Sequence, residues 1–459
     1  MYQVSQIVIS PSIYNLNYRL LDCYSRQAKL LYNAALFRVR QIFTGWDKPV
    51  RTDHEKGVFA ELDLLHEKMP GVKVRRKISY NALEKLMRVS ENPDFFSGLP
   101  MQTAQDVLKA AVQDFDNWLA ALRSYKADPS RFLGRPRMPG YCRSDVKTFT
   151  ITNQDAALYP VRNGDVYAGC DLKLPKFGKR IRLTHIPEGV NLREVKVCPY
   201  YGKYLLILNM AVEDVPLRTD MPNLAGIDFG TENIAAVVTT DGSSRVYKGG
   251  AVKAENRLFH KEKGHATAII TAGTTHKGAS SRHLDFLSRK HDSFMHDAMH
   301  KISSSIIEYC VQHKVGTIVM GVNLLWKQKS NMKEVNNQNF VSIPHARLRR
   351  MITYKAQTAG IAVIEQEESY TSKADCTAGD YMPVFGAPGS RQVRYSGWRA
   401  RRGLYHCSNG LKINADCNGA ANILRKALPD AWKGRTDYTF LRFPESIDFR
   451  KLNRRRAAA

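Results

Sequence analysis

The 459-residue sequence has no C-x-x-C pair, no long apolar run and a marked shortage of acids. Its eight cysteines, Cys23, Cys142, Cys170, Cys198, Cys310, Cys376, Cys407 and Cys417, are scattered. That scatter excludes the common zinc-ribbon spacing and, in so long a chain, argues against a disulfide framework; reduced thiols are expected. Cys376, Cys407 and Cys417 with His406 lack the paired spacing of a zinc site. Without a stretch of about 18 apolar residues, no transmembrane helix is expected. The opening MYQVSQIVISPS has no basic head followed by an apolar stretch, so a secretory signal is not expected. The expected location is the cytoplasm, at the nucleoid of a prokaryote, or the nucleus if the source is eukaryotic. No internal repeat is visible.

The acid shortage is large: 43 Asp plus Glu face 69 Lys plus Arg, a formal charge of +26. Residues 391–459 hold 16 of the bases and only 5 of the acids. So large an excess points to a polyanion, nucleic acid ahead of an anionic membrane, because no long basic amphipathic helix stands out. At 43% hydrophobic content the chain can bury a core, and its length calls for two or three domains.

Residues 3–11 alternate like a strand. Tyr24, Ala28, Leu31, Ala35, Val39 and Phe43 then recur at helical steps, predicting a helix to about residue 44. Thr103 to Asp106 has the form of a capping box before a second apolar-periodic run. Residues 13–130 therefore read as a helical module, with Lys73, Arg75, Arg76 and Lys77 as a basic run. The segment DPSRFLGRPRMPG breaks the helical pattern, and short β-rich runs at 147–152, 180–186, 194–197 and 204–212 suggest a small barrel or sandwich. Residues 1–12 contribute its first strand and residues 131–222 the remainder, with the helical module inserted. From 223 to 459 strand and helix alternate: strands at 224–229, 234–239 and 244–248, a helix at 282–313, a strand at 317–322, a helix at 346–359, a strand at 361–367 and a helix near Asp416. That is the element order of a ribonuclease-H-like fold. The fold class expected is multidomain α+β and α/β.

Three places put a carboxylate where such a fold would use one. Asp228 ends the apolar run LAGID, where an unpaired carboxylate is costly to bury. Glu367 and Glu368 end the strand IAVIEQEE, and Asp416 in INADCNGAANI reads as an N-cap of the last helix. Carboxylates from separate elements suit hard cations in phosphodiester hydrolysis. His283, His291, His296 and His300 form no metal-ligand pattern and read as a polar helix face.

At GIDFGTENIAAVV (226–238), NFVSIPHARLRRMITYKAQTAGIAV (339–363), EESYTSKAD (367–375) and RRGLYHCSNGLKINADCNGAANILRKAL (401–428) the sequence resembles the TnpB family of transposon-encoded RNA-guided DNA endonucleases and the related Fanzor proteins. The resemblance implies a RuvC nuclease domain, a wedge β-barrel, a helical recognition module, two Mg²⁺ ions (Mn²⁺ also possible), a guide RNA from the transposon end and target double-stranded DNA. Pairing would read sequence, and the protein would read duplex shape and a short flanking motif. Asp228 becomes the first catalytic carboxylate and Asp416 the third. The family's usual Glu at the end of the fourth strand is replaced here by Gly321, and its C-x-x-C pairs are missing. Both departures resemble the subset, including many Fanzor proteins, whose second catalytic Glu lies in the Glu-Glu-Ser-Tyr-Thr-Ser motif. Neighbouring residues of a strand point to opposite faces, so one of Glu367 and Glu368 is the metal ligand; Glu368 is preferred. No zinc is expected, and residues 374–410 are read as a metal-free loop. Arg391, Arg394, Arg399, Arg401 and Arg402, interleaved with Tyr395, Trp398 and Tyr405, suit phosphate contact and stacking on unpaired bases, as Lys73, Arg75 and Arg76 suit nucleic-acid contact. The missing Glu keeps a nuclease-dead, RNA-guided DNA-binding repressor open, and a DNA transposase would share fold and metals.

Overall fold

The computed structural model describes residues 2–12, 15–273, 280–323, 343–386, 388, 390 and 392–452. Arg391 and residues 339–342 of the 339–363 stretch lie outside them. The chain divides into two compact units, Met1–Glu213 and Asp214–Ala459.

The first unit runs β1 (Tyr2–Ile9), α1 (Leu16–Gly45), α2 (Asp53–Lys68), α3 (Tyr80–Val89), α4 (Met101–Ala127), β2 (Phe149–Thr152), β3 (Ala157–Asn163), β4 (Val166–Lys173), β5 (Ile181–Leu183), β6 (Asn191–Tyr200) and β7 (Lys203–Ala211). Tyr24, Ala28, Leu31, Ala35 and Val39 of α1 are all buried, as their helical spacing requires. A full capping box fixes the start of α2, where Thr52 and Glu55 bond reciprocally. The box expected at Thr103 does not form. Helix α4 starts earlier, directly after Pro100; Thr103 is buried inside it and Asp106 pairs with Lys109 at 2.9 Å.

The expected barrel is also corrected. Among the described residues the strands form an open antiparallel sheet ordered β1-β7-β6-β2 and a separate sheet ordered β3-β4-β5. Strand β1 spends its whole length on β7, from Tyr2 opposite Ala211 to Ile9 opposite Tyr204, whereas β2 offers only four residues to β6. With β3, β4 and β5 paired only to one another, four strands remain and β1 and β2 are left as the sheet's two edges.

The second unit contains β8 (Asn223–Asp228), β9 (Asn233–Thr239), β10 (Ser243–Lys248), α5 (Gly250–Thr271), α6 (Arg282–Gln312), β11 (Val315–Val322), α7 (His345–Thr358), β12 (Ala362–Glu367), β13 (Trp398–Arg401), β14 (Leu404–His406), β15 (Lys412–Asn414), α8 (Ala415–Ala427) and β16 (Glu445–Ile447). The order of strands and helices read from the sequence over 224–367 is present, with α5 added ahead of α6. The main sheet is ordered β12-β11-β8-β9-β10-β16. Strands β8, β9 and β10 are antiparallel neighbours, while β11 runs parallel to both β8 and β12.

Both faces of this sheet are covered, which explains its continuous apolar strands. Ala225, Ile227, Val237, Ile318 and Met320 pack with α6 and α7. Ala236, Val238 and Val319 pack with Ala420, Ala421, Ile423 and Leu424 of α8. Side-chain alternation thus sends Gly226 and Asp228 of β8 toward α8. The segment read as a loop at 374–410 is partly ordered as sheet, since β13, β14 and β15 form a three-stranded antiparallel ladder. No described helix is long and apolar enough to cross a membrane.

At Gly226 the approach of α8 is so close that a Cβ would collide with the carbonyl oxygen of Ala420. Gly226→Val is therefore expected to cost at least about 1–3 kcal/mol by overpacking. A lowered midpoint of chemical denaturation checks this; an unchanged midpoint contradicts the packing described.

Candidate active site

The C-terminal ends of β8, β11 and β12 lie side by side in the parallel part of the sheet. Met320 pairs with Ile227 and Val322 with Glu367, so Asp228, Gly321 and Glu368 fall at one edge. Helix α8 crosses this edge on one face, with Asp416 in its first turn.

Asp228 keeps partial solvent access but is packed deeply. Its carboxyl is pushed well above the usual carboxylate range, first by burial, then by the charges of Glu368 and Asp416, with Arg399 opposing. An ideal Cβ at Gly419 of α8 would stand 2.6 Å from Asp228 Oδ2, so only glycine leaves that oxygen room. Sequence reading passed over Gly419. The small-residue run NGAA was the signal that could have found it.

Gly321 does the same for Glu368. An ideal Cβ at Gly321 would stand 2.8 Å from Glu368 Oε2, so the Glu368 side chain occupies the space that a fourth-strand side chain would fill. Burial, and then the neighbouring Glu367 charge, push the Glu368 carboxyl up to about 7, against Arg349 and a hydrogen bond from Asn323. Glu367 turns the other way. Its Oε2 accepts from Lys426 Nζ at 2.7 Å and its Oε1 from the Ser369 amide at 2.7 Å, and these bonds hold it below the usual range despite burial.

Asp416 is not the N-cap. Asn414 caps α8 by accepting from the amides of Asp416 and Cys417. Freed from that task, Asp416 accepts from Asn233 Nδ2 at 2.7 Å and pairs with Arg399 Nη2 at 3.2 Å. Asn233 sits at the start of β9, and Arg399 on β13. Neither link was read from the sequence.

The turn after Glu368 is fixed from beneath. Buried Asn418 and Asn422 of α8 donate to the carbonyls of Thr371 and Ala374, and Asn418 Oδ1 accepts from the Cys376 amide. Buried Asp375 accepts from the amides of Thr377 and Ser408. Cys376, Cys407 and Cys417 are buried, and burial raises all three thiols above their ordinary range.

Among the other basic and aromatic candidates, Arg402 pairs with Glu232 at 3.0 Å, while Arg394 and Arg401 are exposed. Trp398 is exposed, but Tyr405 is fully buried with its hydroxyl donating to the Lys373 carbonyl at 2.7 Å. Tyr405 is therefore corrected from a stacking candidate to a core residue; its place on the central strand of the small sheet decides this. In the first unit, Lys73 and Arg75 line an open cleft of about 860 Å³ with Lys77, Tyr80 and Lys109. Arg76 is held differently, paired with Asp47 at 2.9 Å and stacked over Phe43. The histidines of α6 are not a solvated face: His291 stacks on Phe259 and His296 meets His300, all half-buried between helices, while His283 is exposed.

Among the described residues no three His, Cys, Asp or Glu side chains converge tightly enough to enclose one ion. The acids nonetheless form one electrostatic group around Asp228. Oxygen donors, surplus negative charge and the room left by two glycines fit a hard divalent cation.

The raised Glu368 carboxyl has a consequence for the metal-free protein. A folded value of about 7 against an unfolded 4.5 means that the folded state binds more protons between these limits. Stability therefore falls as pH rises from 4.5 to 7, and stays low above 7. Glu368→Gln removes that loss, so without divalent metal it should be more stable than the parent at pH 8, on the order of 1–3 kcal/mol, and nearly equal at pH 5. Thermal melts across that range check it; a Gln variant no more stable at pH 8 contradicts the assignment.

Residues 208–326 match the family described as OrfB_IS605, probable transposase, and residues 345–423 match the Cas12f1-like TNB domain. A TnpB-like protein of Acidianus two-tailed virus is 29% identical over 45% of this chain and 42% of its own length. A CRISPR-associated endodeoxyribonuclease Cas12f1 of Sulfoacidibacillus thermotolerans is 24% identical over 48% of this chain and 50% of its own. These matches thus span half or less of each curated relative. A Cas12f1–sgRNA–target DNA complex shares the fold, with a TM-score of 0.52, 15% identity, and coverage of 89% of this chain and 83% of the other. From residue 208 to 423 this chain is thus similar to the OrfB_IS605 transposase family, to a TnpB-like protein and to Cas12f-type effectors.

Proposed function

We propose that this chain is an RNA-guided DNA endonuclease that hydrolyses a phosphodiester with divalent metal ions, Mg²⁺ first and Mn²⁺ as a substitute. The observation that carries the reading is the meeting of Asp228 and Glu368 at the ends of β8 and β12 with Asp416 in the first turn of α8. The six-stranded sheet is then a RuvC-type, ribonuclease-H-like domain over residues 223–459, preceded by a helical recognition module at 13–130 and the β-rich parts at 1–12 and 131–222. The partners proposed are a guide RNA from the transposon end and a target duplex, with no zinc required.

Asp228, Glu368 and Asp416 would hold the metal. Bound there, it would lower the pKa of a water and offset charge on the leaving oxygen. The chain's own residues set the stage. Gly321 and Gly419 leave the carboxylate oxygens unobstructed, and Asn233 orients Asp416. Lys426 holds Glu367 apart, so the motif contributes one carboxylate to the centre and uses the other to anchor the turn. Arg399, already beside Asp416, is placed to meet a phosphate, with Arg394, Arg401 and Arg402 nearby in sequence. In the first unit, Lys73 and Arg75 face an open cleft suited to a phosphate backbone, and Arg76 braces that segment.

A second reading, a nuclease-dead RNA-guided repressor, draws on Gly321 standing where the fourth-strand acid would be. The approach of Glu368 to Gly321 weighs against it. The test is cleavage of a matched duplex with Mg²⁺ by protein purified with its co-expressed RNA. Asp228→Ala and Glu368→Gln should each lower the rate by at least about 100-fold, because each removes an interaction with the reacting centre. Glu367→Gln should keep the rate within about 10-fold of the parent. Undiminished cutting in Asp228→Ala overturns the assignment, and tight guided binding with no cutting by the parent supports the repressor.

A further inference from the structure

Beside the acidic centre lies a second feature that the carboxylates do not use. Ser369, Tyr370, Ser372, Lys373, Phe385 and Tyr395 line most of an open cleft of about 430 Å³. Tyr370 is two residues from Glu368, so its Cα lies within about 7 Å of that of Glu368 along the chain. The cleft therefore abuts the proposed centre.

Three observations set its chemistry. The rings of Tyr370 and Tyr395 are within 27° of parallel, with centroids 6.4 Å apart. That is close to twice the roughly 3.4 Å stacking step of nucleic-acid bases, so a small parting would admit one planar ring between them. Next, the Tyr395 hydroxyl is buried and has no hydrogen-bond partner among the described residues. A buried polar atom left in this state costs free energy that a ligand's donor or acceptor would recover. Third, exposed Lys373 places its ammonium 5.7 Å from the Tyr370 ring, and among the described residues no carboxylate lines the cleft. Nearby Asp380 is engaged elsewhere, accepting from the Asp375 amide and from both the amide and hydroxyl of Ser396.

Tyr370 also holds a left-handed backbone, φ +65°, which is unfavourable for a bulky side chain. Bonds from Lys373 N and Ala374 N to the Tyr370 carbonyl, and from Thr371 to that of Glu368, lock the turn. The strain fixes where the ring points. Such over-determined strain beside a reactive group is a mark of function.

We propose that this cleft is a subsite for one unpaired nucleobase of the strand being cut. Tyr370 and Tyr395 stack on the base, the Tyr395 hydroxyl bonds its edge, and Lys373 meets the adjoining phosphate. The subsite rests on the nuclease reading. It would seat one nucleotide so that its neighbouring phosphodiester lies over Asp228 and Glu368, and would demand local unpairing of the target.

The test scans a target strand with a single abasic site, one position at a time, using the protein with its co-expressed RNA. One position next to the cut should slow cleavage by about 5- to 150-fold, the range expected for a lost stacking contact. Tyr370→Ala and Tyr395→Ala should abolish that positional effect. Tyr395→Phe keeps the ring and should retain stacking while weakening discrimination among bases. A binding readout in Asp228→Asn, which need not cut, keeps the subsite separable from the nuclease reading. There, 2-aminopurine at the same position should be quenched by the parent tyrosines and not after Tyr370→Ala. Abasic sites with no position-specific effect, together with 2-aminopurine quenching unchanged by Tyr370→Ala, would overturn the subsite even if Asp228→Ala abolishes cutting.

Discussion

Mutual repulsion among carboxylates held out of water is the constraint around which the second unit is built. Asp228 cannot retreat, because β8 is central in the sheet and α8 lies against its face so closely that Gly226 and Gly419 have no space for a side chain. Glu368 cannot retreat either, since the turn after it is bonded to buried Asn418 and Asn422. Two acids with raised protonation thresholds are thus kept side by side by packing that is otherwise apolar. The arrangement costs stability and is tolerated because the surrounding core is large; it gains its purpose under the proposal that a divalent cation neutralises it.

The role of the glycines follows from that constraint. In the usual pattern the family resemblance implies, the second acid stands on the fourth strand. Here Gly321 vacates that position and Glu368 extends into the gap from the fifth strand, so the carboxyl reaches nearly the same place from a different backbone. Its neighbour Glu367 is tied to Lys426, in the last turn of α8. Strand alternation separates the two glutamates, and the ion pair keeps them separated. The aromatic cleft starts at the next turn, where Tyr370 meets Tyr395 from farther along the chain.

Much of this was legible in the sequence. The strand and helix order over 224–367 could be read, and Asp228 stood out as the one charge in its run. Opposed side chains at Glu367 and Glu368 followed from strand periodicity alone. What escaped depended on contacts distant in sequence. Asn233 and Arg399 reach Asp416 from 183 and 17 residues away. Tyr405 looked like an exposed stacking residue because β14 is too short to show alternation, yet it sits on the central strand of its sheet. The barrel failed because β3 and β4 were not read from the sequence, and they pair with β5 into a sheet of their own. Helix α4 starts at Met101 because Pro100, with its φ already fixed, takes the N-cap place and leaves Thr103 inside the helix.

The central claim is that Asp228, Glu368 and Asp416 are held in repulsion for a cation to relieve. The most direct measurement is the thermal midpoint of the nucleic-acid-free protein titrated with Mn²⁺ at pH 8, for the parent, Asp228→Asn and Glu367→Gln. A cation that binds only the folded state raises the midpoint with its concentration. The account predicts a rise of several degrees in the parent and in Glu367→Gln, and none in Asp228→Asn. Equal shifts in all three proteins, or no shift in the parent at millimolar Mn²⁺, would contradict it.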